Sequence, residues 1–78
     1  MNNIVDEIMN EQQHLYKIRI NHVSGLTLDI NCCECFFAYD PETKELEIHK
    51  DTEEEREYLD HPLIAINEED IESWEEWI

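Results

Sequence analysis

The chain has 78 residues, 21 Asp and Glu against 5 Lys and Arg, and a net charge of −16. That length sets a single domain over residues 1–78 with a modest core, while a hydrophobic share of 41% with seven aromatics sets it apart from a disordered acidic tail. Membrane spans, secretory leaders and disulfide frameworks are not expected: no run approaches the ~20 apolar residues a span needs, the first residues lack a basic stretch followed by an apolar one, and the three cysteines crowd into Cys32-Cys33-Glu34-Cys35. A cytosolic protein repelled by anionic membranes is the expectation.

Ile4, Val5, Ile8 and Met9 follow the spacing of an amphipathic helix over about 3–13, with its cap at Asn2 or Asn3. Tyr16, Ile18 and Ile20 then alternate with polar residues, as do Leu26, Leu28 and Ile30, and Ser24-Gly25 between them predicts a hairpin. A second hairpin is predicted from Phe36–Tyr39 and Leu46–Ile48 across the turn-forming Asp40-Pro41.

Thr52 followed by Glu55 fits a capping box, so 53–60 reads as a short helix carrying Tyr58 and Leu59 inward and closed by His61-Pro62. Leu63–Ile66 reads as a short buried strand. Asn67 caps a last predicted helix over 67–78, with Ile71, Trp74 and Ile78 on its core face and Trp77 one position off that stripe. The expected class is α+β: an N-terminal helix, an antiparallel sheet of three to four strands from two hairpins, and acidic C-terminal helices.

Little in the chain points to catalysis or to a metal. Zinc sites use cysteine pairs spaced by two to four residues with a second pair elsewhere, and no second pair occurs; buried free thiols are the expected state of Cys32, Cys33 and Cys35. A reactive thiolate needs a positive neighbour, and the surroundings here are anionic. With a single glycine there is no phosphate-cradling loop, and no calcium-loop pattern occurs. No enzyme activity, metal or cofactor is expected.

The acidic surface itself carries the functional reading. Up to Tyr39 there are five acids and two bases; from Asp40 onward there are sixteen acids and three bases. Carboxylates at helical i, i+3 and i+4 positions lie about 5–6 Å apart at Cβ, on the order of the charge spacing along a nucleic-acid strand. Glu53, Glu54, Glu57, Glu68, Glu69, Glu72, Glu75 and Glu76, with Trp77 as an apolar anchor, are therefore the candidate partner-binding residues.

The expected partner is a basic protein, a nucleic-acid-binding enzyme in particular, and not nucleic acid itself. Phage counter-defence proteins, nucleic-acid mimics and immunity proteins that neutralise nucleases are similar to this chain in size and charge, without a motif that assigns a family. The competing expectation is a small interaction module that uses exposed aromatics and a sheet edge, its acidity serving solubility. A free sheet edge would also permit a homodimer. If the acids crowd one face, added salt screens their repulsion and raises the melting temperature of the isolated protein. A melting point unchanged between low and high salt would show them dispersed or paired.

Overall fold

In the computed structural model, which describes residues 3–12 and 14–76, the chain is α+β, with one N-terminal helix and two three-stranded antiparallel sheets. Helix α1 (Asn3–Glu11) is followed by β1 (Lys17–His22) and β2 (Thr27–Asn31), then β3 (Cys35–Asp40) and β4 (Glu45–Lys50). Helix α2 (Glu53–Tyr58), β5 (Ile64–Asn67), a 3-10 turn (Glu68–Asp70) and β6 (Ile71–Glu76) complete it. Asn3 is already helical, and the other candidate cap, Asn2, lies outside the described residues.

Both predicted hairpins form. Ile18 pairs with Ile30 and Ile20 with Leu28 in the first, and Phe37 with Ile48 and Tyr39 with Leu46 in the second. The hairpins do not merge into one sheet. The first sheet has the order β2-β1-β6 and the second β3-β4-β5, so β1 and β4 are the central strands.

One apolar core serves both sheets. Ile18 and Ile20 from β1, Leu46 and Ile48 from β4, and Val5 and Ile8 from α1 are its most enclosed members. Helix α1 packs beside β6, where Trp74 donates its indole N–H to Glu7 at 3.0 Å. Just past the helix, the Gln12 side-chain oxygen accepts the backbone N–H of Phe37 on the edge strand β3 at 2.9 Å. The helix thereby occupies the side of the molecule where β3 and β6 are the outer strands.

The predicted helix over 67–78 is not formed. Asn67 does cap, accepting the N–H of Glu69 at 2.9 Å, but the turn it caps ends at Asp70 and the chain continues as β6 against β1. The spacing of Ile71 and Trp74 misleads because three residues apart is a helical signal, and on a regular strand it would put the two on opposite faces. The pairing shifts register here: His22 faces Ile71 and Asn21 faces Ser73, leaving Glu72 as an extra residue. Such a bulge realigns the strand, and both Ile71 and Trp74 pack on the core. As a strand, the segment also places Glu75 against Arg19 and lets Asn21 donate to Ser73 at 2.9 Å, contacts that a helix of unpaired glutamates lacks.

Two inward assignments are also corrected. Tyr58 and Leu59 are 63% and 43% exposed, because α2 turns Glu55 and Arg56 toward the sheet instead, and the helix ends at Tyr58 with Leu59 in a left-handed cap. The short buried strand expected over Leu63–Ile66 is the edge strand β5, Ile64–Asn67, in which only Ile66 is buried. Leu46 lies on a central strand with no exposed surface, so Leu46→Ala is expected to cost about 2–5 kcal/mol in chemical denaturation, a large share of the stability of so small a domain.

Candidate interaction surface

The acids of the second half divide between two elements. Glu53, Glu54 and Glu57 are exposed on α2, and Glu69, Glu72 and Glu76 are exposed along the 3-10 turn and β6. The continuous row over 68–76 that a helix would have made does not exist. Glu75 lies 3.9 Å from Arg19, and Glu68 is half-buried and bonded to Tyr39, whose hydroxyl is pushed up first by burial and then by that bond. Trp77 lies outside the described residues.

Both arginines are committed within the molecule. Arg19 makes a bidentate pair with Asp29 at 2.6 and 3.1 Å, and that hydrogen bonding holds the Asp29 carboxyl below its usual range. Arg56 pairs likewise with Asp51, lowering that carboxyl, and its guanidinium lies 4.5 Å from the Phe36 ring centroid. Among the described residues Glu53, Glu54, Glu57, Glu69, Glu72 and Glu76 form no ion pair.

Helix α2 is seated by polar contacts. Thr52 accepts the Glu55 N–H at 3.1 Å, half of the expected capping box, but the Glu55 carboxylate does not return the bond. It reaches the fully buried His49, with Nδ1 to Oε2 at 2.6 Å, while His49 Nε2 meets Glu47 at 2.9 Å. Both ring nitrogens face carboxylate oxygens. The ring stacks on Phe36 at 5.2 Å between centroids. Sequence reading missed this pair because His49 falls in the polar register of β4, which alternation assigns to solvent; the neighbouring Phe36, equally out of register, was the available signal.

Glu55 also lies near His61, and Glu55, Asp60 and His61 bring their ligand-type atoms within 4.8 Å of one another. Their contacts account for that convergence: Glu55 holds His49, and Asp60 and His61 meet at 2.8 Å. The cysteines do not converge. Cys32 and Cys35 are half-buried against the core and Cys33 is exposed, which corrects the expectation of three buried thiols. Burial, followed by neighbouring thiol or carboxylate charge, raises the Cys32 and Cys35 pKa values, which removes the low-pKa condition for a nucleophile.

Sequence reading also missed the seam between β2 and β5. Leu26, Leu63 and Ile64, which are 73%, 62% and 40% exposed, lie along it with Leu28. The uniformly apolar Leu63-Ile64-Ala65-Ile66 was the signal, since an alternating strand would have assigned half of it to water.

Among the described residues no helix is long and apolar enough to cross a membrane. Comparison with protein-family models, curated proteins and solved structures finds no match.

The hydrogen bond and charge of Asp60 raise the His61 pKa. Stability from this pair is full below the ordinary histidine value of about 6.5, down to where Asp60, itself held low by His61, takes up its proton, and is lost as pH rises through the folded His61 value; Asp29 and Asp51 likewise lose theirs as pH falls through their depressed values. In an NMR titration His61 is expected to titrate above about 6.5 and to fall toward it in Asp60→Asn, with Glu55 still raising it; an unshifted wild-type ring would break the assignment.

Proposed function

We propose that this chain is an acidic, non-catalytic binding protein whose carboxylates occlude a basic, nucleic-acid-binding surface of a partner protein. The observation that carries the reading is the set of exposed glutamates without ion pairs, Glu53, Glu54 and Glu57 on α2 and Glu69, Glu72 and Glu76 on the turn and β6, beside Arg19 and Arg56 that are already paired internally. Carboxylates left unneutralised at −16 repel one another, and a Lys- and Arg-rich surface relieves that repulsion while releasing the counterions both partners hold.

The helical part of the mimicry is confined to α2, where Glu53 and Glu57 stand at i, i+4 and Glu54 and Glu57 at i, i+3. Glu69, Glu72 and Glu76 add charge along the β6 edge in an extended geometry. The proposed setting is the cytosol, where nucleic-acid enzymes work and free thiols stay reduced. Action is stoichiometric, fast to form and sensitive to salt.

Immobilised protein incubated with a native lysate tests this, beside two variants, Glu53→Gln/Glu54→Gln/Glu57→Gln and Glu69→Gln/Glu72→Gln/Glu76→Gln. The expected outcome is a nucleic-acid enzyme that elutes with a salt step, is displaced by duplex DNA or RNA, and is lost from at least one variant. A retained protein that resists salt and binds both variants equally would overturn occlusion by charge and favour a module in which the acids serve solubility.

A further inference from the structure

The two sheets share a core, yet among the described residues no strand pairing joins them, and they part along β2 and β5. Two clefts lie in this seam, of about 420 and about 410 Å³, and both are lined by Leu28 and Ile64, so they adjoin there in the groove between the two strands. β2 pairs only with β1 and β5 only with β4, so each turns an unpaired row of backbone N–H and C=O toward the seam. The groove is apolar where Leu26, Leu28, Ile64 and Ile66 line it. Its charged lining is acidic: Glu45 and Asp70 at one end, Glu34 and the Arg19-bound Asp29 at the other, with no lysine or arginine among the described residues.

We propose that this groove receives an extended segment of the basic partner, about the five residues of β2 in length, in which apolar side chains alternate with Lys or Arg. Such a segment adds as a strand, its backbone pairing with a free edge. Because successive side chains on a strand point to opposite faces, one row fills the apolar floor while the basic row meets the carboxylates of the rim. Charge argues against a second copy of this chain as the occupant, since it would bring −16 against −16 and acids against the same acidic rim. The basic character of the partner rests on the occlusion reading above; no residue of α2 lines the groove.

The test uses the full-length labelled protein and a synthetic seven-residue peptide alternating lysine and valine, with controls carrying glutamate for lysine or N-methyl groups on alternate backbone nitrogens. Two-dimensional NMR and amide hydrogen exchange should show shifts and protection at 27–31 and 64–67. Leu26→Glu and Ile64→Glu replace exposed side chains, so the fold survives, and each is expected to weaken the peptide by about tenfold or more. The α2 triple Gln variant should bind it unchanged, and both control peptides should fail.

No binding, equal binding of the glutamate peptide, shifts confined to 53–58 and 72–76, or full binding by Ile64→Glu would each overturn the groove. So would concentration-dependent self-association through the same strands. Two results separate the proposals: a lysate partner lost with the α2 variant but kept by Ile64→Glu sinks the groove and leaves occlusion, and the reverse pattern with salt-resistant binding sinks occlusion and leaves an interaction through the groove.

Discussion

Among the described residues only β1 and β4 are paired on both sides, and this shortage of interior strands governs the rest of the molecule. Neither three-stranded sheet buries enough apolar surface by itself, so the two close on one core in which β1 and β4 supply Ile18, Ile20, Leu46 and Ile48. Four outer strands remain, and each is an invitation to unwanted pairing. Along β3, Gln12 takes the Phe37 N–H. On β6, a bulge at Glu72, nearby carboxylates and the Trp74 to Glu7 bond discourage a neighbour. β2 and β5 keep theirs open, and there the exposed leucines and isoleucine collect.

The same glutamates can therefore answer two demands. On β6 they blunt an edge, and as unpaired charge they attract a basic surface. Their repulsion is tempered where Arg19 stands between Asp29 and Glu75 across three strands, and Glu47 and Glu55 are each held by a hydrogen bond to His49 beneath α2. The helix most exposed to repulsion is held to its sheet by a buried imidazole and a guanidinium over an aromatic ring, since its apolar residues Tyr58 and Leu59 face outward. Removing one partner from so enclosed a pair leaves a buried polar group unsatisfied, so these contacts are structural commitments and not spare charge.

The central β-structure was legible because alternation and turn residues agree there: Tyr16 to Ile20 and Leu26 to Ile30 alternate around Ser24-Gly25, and Gly25 takes the positive φ of +94° that the turn needs. The α2 cap was legible in Thr52, and its side chain was misassigned because Glu55 had a tertiary partner six residues back in the chain. The C-terminal strand was not legible, since a bulge converts an i, i+3 spacing into a one-faced strand and local periodicity cannot show it. Of the candidate site, the identity of the exposed acids was readable while their arrangement was not, because that depended on the same misread segment. The groove depends wholly on which strands become edges, which is a property of topology and not of any short stretch of sequence.

Helix α1 has a role that its size conceals. It fills the core with Val5 and Ile8 and at the same time stands beside the outer strands β3 and β6. A chain stripped of it would carry bare edges on one flank and the already open β2–β5 seam on the other. Those two flanks differ, so pairing between copies would be head to tail, and a contact of that kind has no built-in closure. Because Val5 and Ile8 would leave the core together with the helix, a chain stripped of the nine residues of α1 would lose packing and edge cover at once, and open edges on a loosened core are the features that make a chain aggregate.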